Sequence, residues 1–209
     1  MKTNINDLTL LNSEMSNITQ NRVNILIPLT NNYKTKLTQS DISRITQIPQ
    51  QSLSRYLNSY VKEGIIEYSI EGRNKLFYIN LKNNLSINTF QLIENQKTLL
   101  FQQKIKDITI ILSELLNYAE AIILFGSYSK YEQTKTSDLD LILVGKSNKE
   151  KIKELKRTFP IEINEQYLSL EELKKSFKTK NHLAIEILNN HILFGDISKI
   201  VKLFMEESK

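Results

Sequence analysis

Asp138 and Asp140 alternate with Leu139 and Leu141 at the head of an apolar run, and few folds can hold such a pattern. In an extended strand, residues two apart point the same way, so both carboxylates share one face at a strand end beside a loop. Bringing like charges together against an apolar sheet is costly. A divalent cation removes the penalty, and oxygen donors alone suit Mg²⁺ or Mn²⁺. The chain is therefore expected to build a small mixed sheet whose strand end carries a metal-binding pair.

A second continuous apolar run, 121–125, reads as a buried strand and leads into Gly126-Ser127 and a helix through Tyr128 and Lys130. The glycine lets backbone approach a phosphate, while helix N–H groups and the Ser127 hydroxyl meet its oxygens. A nucleoside triphosphate held there brings its cation beside Asp138 and Asp140. Two metals would then flank in-line attack on the α-phosphorus, with pyrophosphate leaving. A third carboxylate is wanted to activate the attacking hydroxyl. Glu162, on a short third strand over 161–163, is the first candidate and Glu165 the second. Helices are expected over 149–157, 170–178 and 183–190.

The front of the chain differs in charge. Over 21–82, nine Lys/Arg face four acids, which accounts for the whole net charge of +5. A basic front and a neutral back direct a polyanion partner to the front. Helical patterning over 23–29 includes Pro28, and Ser40 stands as the N-cap of a second helix. Pro49 sits in the first turn of a third helix, whose apolar face is Leu53, Leu57, Tyr60 and Val61, with Gly64 as its stop. Runs 65–70 and 75–81 flank a turn and read as a hairpin. Three helices and a hairpin in this order make a winged helix-turn-helix. Its outward residues Gln50, Gln51, Ser54, Arg55 and Asn58 suit base edges in double-stranded DNA. Arg73 and Lys75 at the hairpin tip, and Arg44 at the turn, suit neighbouring phosphates. Such readers often bind palindromes as pairs, so a homodimer is expected.

At 209 residues the chain has room for two compact units. The reading is α+β, with an arm over 1–19, the winged helix over 20–82, a linker and one connecting helix (89–118) within 83–118, and the catalytic domain over 119–209. The absence of cysteine excludes disulfides, thiolate zinc sites and cysteine nucleophiles. His182 and His191 lack metal-ligand spacing and read as surface or packing residues. No apolar run reaches the roughly 18 residues of a membrane span, and no signal peptide opens the chain, so a cytoplasmic protein without a membrane partner is expected.

Phe125, Gly126, Ser127, Tyr128, Lys130, Ser137, Asp138, Asp140 and Leu141 together resemble the minimal nucleotidyltransferases of the polymerase β-like superfamily. The resemblance covers roughly 119–195, including the apolar piece His191-Ile192-Leu193-Phe194-Gly195, of a type common in archaeal members that carry an N-terminal winged helix. It implies Asp138 and Asp140 as metal ligands and Ser127 as the triphosphate contact, with Gly126, Lys130 and Ser137 completing the nucleotide site. Two positions depart from the family. Tyr131 stands where a second glycine is usual, and Glu162 where many relatives have Asp. Some members of that group are antitoxins that transfer AMP to a HEPN-type toxin and others modify small molecules such as aminoglycosides, and the resemblance does not choose among them. The expectation here is transfer of a nucleotide, AMP from ATP, to a hydroxyl of a protein partner. Two other readings stay open: a DNA-binding regulator whose nucleotide domain senses or is inactive, and nucleotide addition to nucleic-acid ends.

Overall fold

The computed structural model describes residues 20–83 and 86–208, and the expected arm over 1–19 lies outside them. The N-terminal unit begins with α1 (Gln20–Thr30), followed by β1 (Leu37–Thr38), α2 (Gln39–Thr46) and α3 (Gln50–Lys62). The cap of α2 is Thr38, not Ser40. Its side chain accepts from the Asp41 N–H while Asp41 accepts from the Thr38 N–H, a reciprocal box that Ser40 cannot make. Pro49 is the cap residue of α3, just outside it. Leu53, Leu57 and Tyr60 turn inward, leaving Gln50, Gln51, Arg55 and Asn58 exposed on the other side.

The hairpin is β2 (Ile66–Glu71) and β3 (Asn74–Ile79). Its two-residue turn is possible because Gly72 adopts φ +62. β1 pairs with β3 and gives the unit a third strand that patterning did not reveal.

The expected single helix over 89–118 is two helices, α4 (Ile87–Lys104) and α5 (Lys106–Leu115). The chain breaks at Ile105, which leaves helical geometry at φ −126 and ψ 73. The apolar residues of this pair serve two cores, the change falling within α4 between Ile93 and Phe101. Phe90 and Ile93 pack with the N-terminal unit, whereas Phe101, Ile108, Ile111, Leu112 and Leu115 pack under the larger sheet.

That sheet has the order β6-β5-β4-β7. It comprises β4 (Ala119–Phe125), β5 (Leu139–Ser147), β6 (Ile163–Leu168) and β7 (Ile192–Gly195). β4 runs antiparallel to β5 and β7, and β5 parallel to β6. The third strand therefore starts where it was expected to end, and the apolar piece near the C-terminus is a fourth. Connections are α6 (Gly126–Lys130), α7 (Lys149–Lys156), α8 (Leu170–Thr179), α9 (His182–Asn189) and, last, α10 (Ser198–Glu207). Alternation divides the sheet. Ile122, Leu124, Leu141 and Leu143 join α5 and α7 on one face. Ala121, Ile123, Phe125, Ile142 and Val144 face the other way, joining α8, α9, α10 and the N-terminal core in one continuous cluster.

Where that cluster meets the two units lies a buried polar set. Tyr33 Oη donates to Glu94 at 2.9 Å, and Lys97 Nζ lies 2.8 Å from the same carboxylate. His191 Nδ1 is 2.8 Å from the Ile187 carbonyl, and its Nε2 is 3.3 Å from Lys97 Nζ. Burial and the Lys97 charge push the His191 pKa down against the opposing pull of Glu94, whose Oε2 lies 3.3 Å from Nε2, while Nδ1 donates to the Ile187 carbonyl. Burial works against the Glu94 charge, but Lys97 and His191 together outweigh it and hold the carboxyl below its ordinary range. His191 is thus a packing residue, and His182 is exposed.

Candidate active site

Asp140 is the second residue of β5, flanked in register by Phe125 of β4 and Asn164 of β6. It shares the face of Ile142, the side against which α9 packs. Asp138 precedes the strand and is exposed. The loop before it is pinched by Ser137, whose hydroxyl accepts from the Thr134 N–H at 2.8 Å. Ser137 therefore shapes the approach to the carboxylates.

Gly126 explains how the two elements of the motif come together. It sits at φ +70, and a β-carbon there would fall on Oδ2 of Asp140. Only the missing side chain lets the start of α6 press against that carboxylate. Ser129, buried inside α6, donates to the Gly126 carbonyl at 2.9 Å and lies 3.4 Å from the Asn190 carbonyl, tying α6 to the segment after α9. Ser127 is half-buried, and its hydroxyl has no partner among the described residues. Lys130 Nζ stands 3.9 Å from Glu186 of α9.

The residue that reaches both aspartates is Asn164. Its Nδ2 lies 3.3 Å from Asp138 and 3.4 Å from Asp140. Glu162, two residues earlier and just outside β6, is exposed; its carbonyl accepts from the Leu139 N–H at 2.8 Å. Its carboxylate makes no hydrogen bond or ion pair among the described residues. Glu165 is in register with Leu141, on the opposite face, and is ion-paired with Lys156.

Electrostatics identify a further acid. Partial burial raises the Asp140 pKa, the Asn164 hydrogen bond opposes this, and the charges of Glu186 and Asp138 add to the rise. Glu186 is thus close enough for Asp140 to feel it, because α9 packs over the strand end. Nothing local in the sequence marks Glu186, since it reaches the site only through that packing. Asn164 was legible in principle, being two residues along the strand from Glu162.

Among the described residues, no three acidic or imidazole side chains converge as a metal cluster. Two carboxylates and one amide do. That set fits a single Mg²⁺, which keeps several of its waters and takes one or two carboxylates. Turned over, the Asn164 amide offers its oxygen to the cation. Like charges crowding at Asp140 are themselves the feature a cation would relieve.

Tyr131 does not close the carboxylate face. Its ring stands 6.0 Å from Phe101, with Lys104 Nζ 4.7 Å above it, so it leans on α4. Its φ of 59 is the left-handed conformation that a glycine would occupy freely.

The residues expected to touch DNA lie on the N-terminal unit. Gln50, Gln51, Arg55 and Asn58 line the outer face of α3. Ser54 is half-buried and is within 2.8 Å of Gln39 Nε2, which donates to it. Arg44 pairs with Asp41 at 2.9 Å, Arg73 is exposed in the hairpin turn, and Lys75 folds over the Tyr68 ring at 3.9 Å. No described helix is long and apolar enough to cross a membrane.

No curated protein and no solved structure matches the chain. Residues 105–194, running from α5 through the aspartate-bearing strand to β7, match the family model of the nucleotidyltransferase domain.

Proposed function

We propose that the protein transfers a nucleotide from a nucleoside triphosphate, AMP from ATP, to a hydroxyl of a protein partner. One observation carries the reading: Asp138 and Asp140 converge with Asn164 beside the Gly126–Asp140 contact, next to an unengaged Ser127 hydroxyl. Asp138, Asp140 and the Asn164 amide would hold Mg²⁺ or Mn²⁺, which when bound neutralises triphosphate charge. Ser127 and Lys130 take phosphate oxygens. The acceptor oxygen bonds to the α-phosphorus, the bond to the bridging oxygen breaks, and pyrophosphate leaves with the electron pair. The hydroxyl proton passes to a carboxylate, and Glu186 is better supported for this than Glu162 because Asp140 feels its charge. The proposed acceptor, a hydroxyl on a HEPN-type ribonuclease partner, is the one used by the antitoxin members of the group that the sequence resembles. The exposed Gln50, Gln51, Arg55 and Asn58 support duplex DNA binding by a winged helix at the front.

The test is α-labelled ATP with Mg²⁺ and candidate partner proteins. Label should move to the partner with wild type and stay put with Asp138→Ala/Asp140→Ala. Transfer that survives the double substitution removes the assigned site.

A second reading is favoured by Asn164. An amide in place of a third acid suits a DNA-binding regulator that holds nucleotide without transferring it. Tight DNA and Mg²⁺–ATP binding, with no label moved to any partner, would select it.

A further inference from the structure

We propose that the cavity between α4, the end of α6 and the N-terminal helices is a second ligand site, built for a mononucleotide. The cavity has a volume of about 330 Å³ and is walled by Ile45 of α2, Lys97 and Lys104 of α4, Lys130 and Tyr131 at the end of α6, and His191. None of Gly126, Ser127, Asp138, Asp140 or Asn164 lines it, and only Lys130 is shared with the candidate active site.

Charge is the first argument. Three lysines line the space and no aspartate or glutamate does. Lys97 is neutralised from behind by Glu94, and Lys130 is 3.9 Å from Glu186. Lys104 has no ion pair among the described residues, only the Tyr131 ring beneath it. One unpaired cation beside two paired ones at a concave space attracts a phosphate, and low-dielectric walls strengthen the attraction.

Shape and strain are the second. Tyr131 holds a left-handed backbone at φ 59 that bulky residues seldom adopt, and so brings an aromatic ring, 42 % exposed, to the cavity wall. Ile45, 53 % exposed, lines the same cavity. An aromatic ring and an isoleucine in the walls, with lysines beside them, suit a flat heteroaromatic body with a phosphate. The volume lies at the small end of ligand pockets, roughly 300–1,000 Å³, which limits the occupant to about one nucleotide. Since walls come from both units, a ligand here would touch the N-terminal helices and the nucleotidyltransferase domain together.

Isothermal titration of the full chain with AMP in EDTA tests this. AMP should bind without a divalent cation, and adenosine at least tenfold more weakly. Lys104→Glu and Tyr131→Gly should each weaken AMP at least tenfold. Both side chains are solvent-exposed, and glycine relieves the strain at 131, so both variants should fold. Asp138→Asn/Asp140→Asn should leave AMP affinity within threefold of wild type. The proposal is overturned if AMP does not bind, if adenosine binds equally well, or if binding is lost in the aspartate double variant and kept in Lys104→Glu. That last result would put the only nucleotide at the carboxylates, which leaves the proposed transfer reaction standing.

Discussion

Gly126 leaves no room for a β-carbon against Oδ2 of Asp140, so the turn before α6 and the strand carrying the carboxylates form one unit. Gly126→Ala forces a left-handed alanine and pushes Asp140 aside. The left-handed conformation alone should cost about 1–3 kcal/mol of stability, read by thermal or urea unfolding. Mg²⁺–ATP affinity should fall by more than the stability loss explains, because the displaced carboxylate is a proposed ligand. A variant that binds Mg²⁺–ATP like wild type would separate the glycine from the site.

Asn164→Asp would add a third carboxylate at the place where the amide now touches both aspartates. Without metal, three like charges should destabilise the strand ends and raise the Asp140 pKa further. With Mn²⁺ the order should reverse, with tighter metal binding and a larger rise in melting temperature than wild type. Metal titration and melting curves with and without Mn²⁺ check both signs. If transfer also quickens, the amide is a brake on catalysis.

The site was legible where local pattern and chemistry coincide. Alternation of Asp138, Leu139, Asp140 and Leu141 gave both the strand and the shared face, and Gly126 gave the turn. Other features depend on contacts that no short window contains. Lys104-Ile105-Lys106 has ordinary helix formers and no proline or glycine, yet the helix breaks there, and nothing in that window marks the break. The cap of α2 was readable from the Thr38-to-Asp41 spacing, but Ser40 competed as an equally good cap type. β6 carries its buried face on Ile163, Glu165 and Tyr167, where an ion-paired acid hides the alternation. Glu186 enters the site only through the packing of α9.

Glu186→Gln tests the proton acceptor. It keeps shape and removes the charge that Asp140 feels, so kcat for label transfer should drop by about 10²–10³-fold with little change in ATP KM. The Asp140 carboxyl should titrate lower, since one source of its upward shift is gone. Glu162→Gln should be much closer to wild type. The opposite ranking would return the role to Glu162.

DNA recognition is checked on α3. Arg55→Ala and Gln51→Ala remove exposed donors on its outer face, and each should cost about 1–3 kcal/mol on the preferred site and relax specificity there. Arg44→Ala should instead weaken all duplexes alike and lower the slope of log K against log salt by about one. Equal affinity for every variant in a mobility-shift titration would refute DNA docking through this helix.

The buried set at the junction predicts an acid-sensitive fold. Burial and Lys97 lower the His191 pKa in the folded protein, whereas unfolded it takes up a proton near its ordinary value of 6.5. The unfolded chain therefore binds more protons just below that pH, and stability must fall as pH drops through it. Glu94 acts in the same direction further down, since its folded pKa is lowered and its contribution is lost below the ordinary value of 4.5. Melting temperature should decline from pH 7.5 to 5.5, with each kcal/mol worth about 2–4 °C in a chain of this size. His191→Gln should flatten that decline. Glu94→Gln should be worse at every pH, costing about 3–5 kcal/mol, because Lys97, 4 % exposed, is left without its counter-charge. A Glu94→Gln protein as stable as wild type would mean that Lys97 gives up its proton when buried, and that the junction is held by packing alone.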